Sequence, residues 1–292
     1  MHQLLRVRNL KKHTGMEQEK NNNGQSGETR ESALIFTVFN AVNYNDRVEA
    51  IKEIEDQEVL RKVAANDPDY YVRQMATEKI QDEDVLMQIA LNDSDYYVRV
   101  AAVRNIKNPE TLAHIVLKSQ EDYYICKDAL AGIKNDKILL ELINHITDRD
   151  ILKSLVESVT DEEILIEIAR NHNDFYIRSD ALKKINDEAI LIEIARQDKD
   201  YYVRALAVEK IQNMDVITTM ALQDPDYYVR NKAVAKLQDT QVLAGIVKND
   251  PDFEVRKKAI SRIDSKEVLE SLLQDIDDHY IARKISNRIS CL

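Results

Sequence analysis

The phrase NDPDYYVR at residues 66–73 returns along the chain in closely related forms. NDSDYYVR occupies 92–99, NHNDFYIR occupies 171–178 and NDPDFEVR occupies 249–256. Aligned on the second acidic residue of the phrase, the copies have their anchor at positions 43, 69, 95, 122, 148, 174, 200, 226, 252 and 278. Every step is 26 residues except one of 27, from 95 to 122. A period this constant indicates a repeat architecture of about ten units.

Each unit carries two helical patterns. Apolar residues fall at +3, +7, +8 and +11 from the anchor, as in Val98, Ala102, Val103 and Ile106, which is the stripe of an amphipathic helix. A second apolar group follows at +16, +17, +20 and +21 and predicts a shorter helix. The chain has only 5 Gly and 4 Pro, which favours helices joined by short turns. Neither helix can bury its stripe alone, so neighbouring units must stack.

Capping residues support these helix starts. Asp67 is predicted as an N-cap with Pro68 at the first helical position, and the pairs Asp224-Pro225 and Asp250-Pro251 are read in the same way. Asn108-Pro109 marks the start of a helix of the second pattern.

The phrase D-P-x-x-x-V-R-x-x-A, preceded by an L-x-x-I-A helix, resembles HEAT-like repeats. The 26-residue unit is similar to the short bacterial form and to leucine-rich-variant repeats. The resemblance covers roughly residues 31–290 and implies an all-α fold, an α-solenoid of about ten stacked two-helix repeats. It also implies that the helix carrying the phrase is the second of each pair and lines a concave surface. The predicted domains are a basic, disordered tail at 1–30 and a HEAT-like repeat solenoid at 31–292.

Charge is divided unevenly between these two parts. Residues 1–30 hold six Lys and Arg against three Glu, a net charge of +3, so the −11 of the whole chain leaves −14 for residues 31–292. An acidic body argues against binding to a phosphate backbone, where Lys and Arg supply most of the affinity. No apolar run reaches the roughly 18 residues of a membrane span. Two cysteines cannot build a disulfide framework, so a reducing, cytoplasmic location is expected.

An arginine recurs at +4, close to the buried stripe. Its copies are Arg73, Arg99, Arg178, Arg204, Arg230 and Arg256. The resemblance implies a ladder in which each arginine bridges to acidic residues of its own and adjacent units, and bidentate guanidinium–carboxylate geometry suits that role. A row of exposed, anion-binding arginines is the alternative.

All thirteen tyrosines lie at +1 or +2. A helical wheel places +1 on the flank of the stripe, where the ring could wedge between units; these residues are Tyr44, Tyr70, Tyr96, Tyr123, Tyr201 and Tyr227. The +2 position lies almost opposite the buried centre and is predicted to face solvent; it holds Tyr71, Tyr97, Tyr124, Tyr176, Tyr202, Tyr228 and Tyr280. A row of exposed phenols suits protein recognition. The alternative is a row that packs against itself and holds the stack together.

Two adjacent units break the pattern. In the fifth, Arg149 and Asp150 replace both aromatics and Leu152 replaces the arginine, while in the fourth Cys126 stands at the arginine position. Drift in a tolerant repeat is one interpretation. The other is a change of curvature, or a specificity pocket formed by Arg149, Asp150, Lys153 and Glu157.

Enzyme motifs are lacking. Iron-hydroxylating HEAT proteins use paired His-Glu motifs, and none of the six histidines is followed by Glu, so neither a metal site nor a cofactor is predicted. No Gly-rich phosphate loop or nucleophile elbow is present. The expected protein is a non-enzymatic scaffold or adaptor that binds another protein or an extended peptide on the concave face. The alternatives are a subunit or regulator of a bilin-lyase-like or modification enzyme and, less favoured, nucleic-acid binding. Oligomeric state is left open.

The predicted protein-binding residues are the +2 tyrosines and the two polar replacements in the fifth unit. They are Tyr71, Tyr97, Tyr124, Arg149, Asp150, Tyr176, Tyr202, Tyr228 and Tyr280. Variable residues at +5, +6 and +9 would supply selectivity.

Overall fold

The computed structural model describes residues 25–292, and these divide into two compact units, one that ends at Ile106 and one that runs from Lys107 to Leu292. The first unit has helices α1 (Gln25–Asn40), α2 (Tyr44–Glu53), α3 (Gln57–Asn66), α4 (Tyr70–Thr77), α5 (Glu83–Asn92) and α6 (Tyr96–Asn105). The second has α7 (Pro109–Lys118), α8 (Tyr123–Gly132), α9 (Asp136–His145), α10 (Arg149–Ser158), α11 (Glu162–Asn171), α12 (Phe175–Lys184), α13 (Glu188–Gln197), α14 (Tyr201–Lys210), α15 (Met214–Gln223), α16 (Tyr227–Val234), α17 (Thr240–Asn249), α18 (Phe253–Arg262), α19 (Lys266–Asp275) and α20 (His279–Ile289).

These helices pair in chain order, so the described chain is an all-α solenoid of ten two-helix repeats, three in the first unit and seven in the second. Within each unit the first helix of a repeat packs on the second, and each second helix packs on the second helix of the next repeat. No helix among residues 25–292 is both long and apolar enough to cross a membrane.

The core consists of the two apolar stripes predicted from the sequence. Val98, Ala102 and Val103 are buried on α6, and Leu60 and Val63 are buried on α3. Full burial of a Val or Leu side chain stabilises the fold by about 1.5–3 kcal/mol. The prediction that both stripes face the interior of the stack is confirmed.

The predicted tail runs to residue 30, and its residues 1–24 lie outside the described residues. The first helix, α1, begins at Gln25. Arg30 is on α1 and its Nη2 donates to Glu53 Oε2 at the end of α2 (2.5 Å). This contact gives the beginning of α1 a partner that the apolar pattern could not reveal.

The predicted N-caps at Asp67, Asp224 and Asp250 are wrong by two residues. The N-cap of α4 is Asp69, whose Oδ1 accepts from Tyr71 N (2.9 Å), while Asp67 is the C-cap of α3. Asp67 Oδ1 instead accepts from Asp69 N (2.9 Å), which closes the turn that contains Pro68. The same shift moves the other two N-caps to Asp226 and Asp252. Asn108 does cap α7 with Pro109 in its first turn, as predicted.

The displaced aspartates are the acceptors of the arginine ladder. Arg178 Nε and Nη2 donate to the two carboxylate oxygens of Asp198 in the next repeat (both 2.8 Å), and Arg178 Nη1 donates to His172 O (2.9 Å). The Asp198 hydrogen bond raises the pKa of Arg178 although burial opposes this. The same bidentate pairing joins Arg47–Asp67, Arg73–Asp93, Arg204–Asp224 and Arg230–Asp250. The predicted ladder is confirmed for these repeats, and Arg47 is a further member beside the arginines of the repeated phrase.

A second ladder, not predicted, is formed by the residue at +10. Lys210 Nζ donates to Leu182 O (3.0 Å), to Lys183 O (2.7 Å) and to Ile185 O, at the end of the second helix of the preceding repeat. Lys184 and Lys236 make the equivalent contacts. An ammonium here satisfies carbonyls that a helix end leaves unpaired and faces the negative end of the helix dipole. Burial lowers the pKa of all three lysines.

Replacing Lys210 with Met should destabilise the second unit by about 1–2 kcal/mol, because several carbonyls at the end of α12 lose a charged donor. Lys183→Met is the matched control, since Lys183 makes only an exposed i,i+3 pair with Asp180. It should change the free energy of unfolding by less than about 0.5 kcal/mol. Urea denaturation followed by circular dichroism measures both, and equal effects would show that the +10 contacts contribute nothing.

Candidate functional site

The N-cap of each second helix determines where the aromatic residues lie. In α14, Asp200 Oδ1 accepts from Tyr202 N (2.8 Å), which places Tyr201 and Tyr202 in the first turn. Val203 at +3 is fully buried and fixes the rotation of the helix. Because +1 and +2 precede the buried residue, both rings lie at the edge of the helix beside its capping carboxylate.

The +2 tyrosines are called the aromatic row below. The first unit contributes Tyr71 and Tyr97, and the second contributes Tyr124, Tyr176, Tyr202, Tyr228 and Tyr280. Tyr97, Tyr124 and Tyr280 are 60%, 67% and 72% exposed, and Tyr202 is 37% exposed. Tyr228 is half-buried. Exposure of the aromatic row therefore varies from repeat to repeat.

The +1 rings do not wedge between repeats as predicted. Tyr70 is 46% exposed and Tyr201 47% exposed, so neither is buried by a neighbouring repeat. A +1 ring instead lies against the +2 ring of the next repeat: Tyr70–Tyr97 at 6.2 Å between centroids, Phe175–Tyr202 at 6.2 Å and Tyr201–Tyr228 at 5.9 Å. The last two are edge-to-face, a geometry worth about 0.5–1.5 kcal/mol per pair beyond area burial. Part of each of these +2 rings is therefore in contact with the +1 ring of the preceding repeat.

Repeat five keeps this contact with a different residue. Arg149 stands at +1, its Cζ lies 4.6 Å from the centroid of the Tyr176 ring, and its Nε donates to Asp174 Oδ2 (3.3 Å). The Arg149 side chain remains 63% exposed. A guanidinium therefore occupies the place that an aromatic ring occupies in other repeats. Asp150 is exposed, and Lys153 and Glu157 form an exposed pair of their own (3.9 Å), so these residues do not converge with Arg149 on one pocket.

The other two pattern breaks, Cys126 and Leu152, are buried, and each is matched by a change at the acceptor position of the next repeat. Cys126 replaces the ladder arginine in repeat four, and Ile146 stands where the acceptor aspartate would be. Leu152 and His172 are the matching pair one repeat later. Cys126 Sγ donates to Ser119 O (3.1 Å), and burial, with the charges of Asp122 and Asp148, raises its pKa to about 11. Repeats four and five thus lack the donor arginine, and the repeat after each of them lacks the acceptor aspartate.

The first unit has a cleft of about 300 Å³ beside Tyr97. Val100 and Ala101 lie in its lining with Glu78 and Arg104. Such a lining can accept one long side chain against apolar groups and a tyrosine ring. Among residues 25–292 no three His, Cys, Asp or Glu side chains come together as a metal-binding group.

The fold and this surface define a class: an all-helical repeat protein with paired helices of about ten residues and exposed aromatics on its second helices. No protein-family model matches the chain, and no curated protein matches it. The chain is similar to the X-ray structure of YibA from Escherichia coli, at 17% identity and a TM-score of 0.23, over 94% of this chain and 99% of that one. It is also similar to a computationally designed self-assembling cyclic homo-oligomer, at 12% identity and a TM-score of 0.12, over 91% and 89% of the two chains. The repeat assignment rests on the helices of this chain.

Proposed function

We propose that the protein is a non-enzymatic, cytoplasmic scaffold of HEAT-like repeats that binds a protein segment in extended form along the exposed side of its second helices. The main support for this proposal is that the aromatic row is exposed, although the repeats are already held together by other contacts. The arginine and lysine ladders and the apolar stripes hold the repeats together without the outer faces of the row. Large aromatics left at a surface are typical of recognition sites.

The framework explains how such a surface can bind with specificity. Each second helix is fixed by an N-cap at one end and, in several repeats, by a +10 donor from the next repeat at the other. The tyrosines therefore project from a rigid support, and little conformational entropy is lost when a partner binds. Side chains at +6 differ between repeats, for example Lys258 on α18 against Leu206 on α14, whereas the predicted selectivity position +5 is buried in several repeats, as Ala205 is. These differences would set the order of residues that the partner presents.

We expect that changing Tyr97, Tyr124, Tyr202 and Tyr228 together to Ser abolishes capture of a specific partner from native lysate while the protein still folds. Loss of the ring contacts lowers stability, by about 0.5–1.5 kcal/mol for each aromatic pair. The matched control changes Leu117, Leu222 and Leu273 to Ser, because these exposed apolar residues lie on first helices. Circular dichroism and a melting curve establish that each variant is folded.

The outcome separates recognition from packing. If the control retains the partner and the tyrosine variant loses it at an unchanged fold, the row recognises the partner. If the tyrosine variant keeps every partner, or loses far more stability than its ring contacts account for, the row belongs to the stack and the proposal fails.

A further inference from the structure

We propose that the exposed side of α18 and α20 binds acidic side chains of the partner segment through three cations, Lys258, Arg283 and Lys284, called the basic row below. This inference rests on the proposed peptide-binding function and specifies the chemistry of the partner. Lysine stands at +6 in the last three repeats, as Lys232, Lys258 and Lys284, whereas +6 holds no cation in the first seven. The sign of the charge at this position therefore distinguishes the last repeats from the others.

Lys232 shows what a +6 side chain can contact. Its Nζ lies 2.5 Å from Glu209 Oε1, at +9 of the preceding second helix, and 5.2 Å from the centroid of the Tyr228 ring. The Glu209 hydrogen bond raises the pKa of Lys232. An ammonium at +6 thus reaches both the aromatic row and the +9 position of the preceding repeat, and in this repeat a carboxylate of the chain itself neutralises it.

The next two repeats keep the lysine and lack its carboxylate. The +9 residue is Ala235 in the repeat before Lys258 and Ser261 in the repeat before Lys284, and neither carries a charge. Lys284 is exposed. Lys258 is half-buried, but within residues 25–292 its ammonium makes no hydrogen bond and it reaches solvent. Both ammonium groups are therefore available to a carboxylate from outside the chain.

Carboxylates near the basic row are paired with other cations. No acidic residue lies three or four positions from Arg283 or Lys284 on α20. Glu254 lies four positions before Lys258, but its Oε2 pairs with Lys257 (2.5 Å). The other carboxylates that pair with α18 and α20 are Asp278, with Arg256 (3.0 Å), and Asp264, with Arg288 (2.5 Å). The basic row thus keeps a positive charge that these ion pairs do not neutralise.

The charge of the whole solenoid decides between a short and a long anionic partner. Residues 31–292 carry a net charge of −14, so a long polyanion such as a nucleic acid would be repelled wherever it extended beyond the basic row. A short acidic segment needs positive charge only where its carboxylates lie. The ligand is therefore an acidic peptide segment and not a phosphate backbone.

Repeat spacing predicts the spacing of the acidic residues. Packed helices lie about 8–10 Å apart, and an extended chain advances about 3.3 Å per residue. Acidic side chains three residues apart therefore reach Lys258 and Lys284 together. Tyr280 is one helical turn before Lys284 and is 72% exposed, so its ring offers an apolar surface to the residues between them.

The test is fluorescence anisotropy of the full chain with labelled (Glu-Gly-Ser)4 and a matched peptide in which Gln replaces Glu. We expect the Glu peptide to bind more tightly, and Lys258→Gln with Lys284→Gln to weaken its binding about three- to tenfold. The matched control, Lys248→Gln with Lys266→Gln, removes the same charge from α17 and α19, where these lysines pair with Asp275 and Glu270. It should leave the affinity within about twofold of wild type.

Two substitutions at +9 test the pairing without removing a lysine. Ser261→Glu gives Lys284 the carboxylate that Glu209 gives Lys232, and should weaken binding of the Glu peptide about two- to fivefold. Glu209→Gln leaves Lys232 without its carboxylate and extends the basic row by one repeat, so binding should strengthen about two- to fivefold. Binding should also weaken as salt is raised.

The outcomes distinguish failure of this inference from failure of the proposed function. If both double variants bind the Glu peptide equally well, the attraction does not come from the basic row and the inference is overturned. It is also overturned if a single-stranded oligonucleotide binds more tightly than the Glu peptide and loses affinity in the Lys258→Gln, Lys284→Gln variant. If the Gln peptide binds as tightly as the Glu peptide and loses affinity when Tyr202, Tyr228 and Tyr280 are changed to Ser, the proposed function stands and this inference fails. Binding that depends on neither the tyrosines nor the lysines contradicts both.

Discussion

Replacing Arg178 with Leu is expected to destabilise the second unit by about 3–5 kcal/mol, the range for breaking a buried ion pair by removing one partner. The Arg178 and Asp198 side chains are only 2% and 5% exposed. Leucine would leave the Asp198 carboxylate buried with the backbone N–H of Asp200 as a remaining donor (2.8 Å). The carbonyls of His172 and Asn173 would also lose the Arg178 Nη1 donor.

The protein contains a matched control for this change. Leu152 and His172 occupy the same two repeat positions in repeats five and six, and His172 Nδ1 accepts from Asp174 N (3.1 Å) as Asp198 Oδ1 accepts from Asp200 N. The double variant Arg178→Leu with Asp198→His therefore reproduces a pair that the chain already tolerates. We expect it to recover most of the stability lost in the single variant. Urea midpoints of wild type, both single variants and the double variant complete the cycle, and strict additivity would show that the pair is not coupled.

The repeat period and the apolar stripes could be predicted from the sequence because both depend only on local pattern. The N-caps could not be placed in the same way, because NDPDYYVR contains two aspartates that can each cap a helix. What decides between Asp67 and Asp69 is Arg47, a residue 20 positions away that donates twice to the Asp67 carboxylate. The pairing leaves only a partial signal in the sequence. The aspartate two residues before the anchor is lost after Cys126 and Leu152, but it is also lost after Arg99 and Arg256, where the arginine is kept.

The residues of the candidate site could be predicted from the sequence, but the contacts between them could not. A helical wheel places the +2 tyrosines on the exposed side, yet it carries no information on the rotation between neighbouring repeats. That rotation places Tyr201 against Tyr228 rather than between two helices. It also brings Arg149 over Tyr176, a contact that joins residues 27 positions apart. The +10 ladder could not be predicted because Lys, Arg and Asn all donate to carbonyls from this position, so no single residue type recurs.

Replacing Cys126 with the arginine that other repeats have at this position should destabilise the protein. Cys126 is completely buried, with Ile146 at the acceptor position of the next repeat. In Cys126→Arg the guanidinium could reach Ser119 O, the acceptor of Cys126 Sγ, but no bidentate carboxylate would face it. The N-cap Asp148 is the nearest equivalent of Asp278, which gives Arg256 a single hydrogen bond (3.0 Å) where Ile276 stands at the acceptor position. A buried guanidinium that loses the bidentate partner of the other repeats costs stability, so we expect a loss of about 1–3 kcal/mol and a urea midpoint below that of Cys126→Ser.

Adding Ile146→Asp to Cys126→Arg should restore much of this loss, because the new carboxylate stands where Asp198 stands for Arg178. Ile146→Asp alone should be destabilising, since it buries a carboxylate without a cationic partner. Each single variant is thus expected to be less stable than the double variant. A change in side-chain volume or polarity alone cannot give the coupling free energy this sign. Stability of Cys126→Arg equal to that of Cys126→Ser would mean that the guanidinium reaches water past residues 119–122 or pairs with Asp148 as Arg256 pairs with Asp278. In that case the extra residue in this repeat, and not the missing acceptor, explains why the chain has a cysteine here.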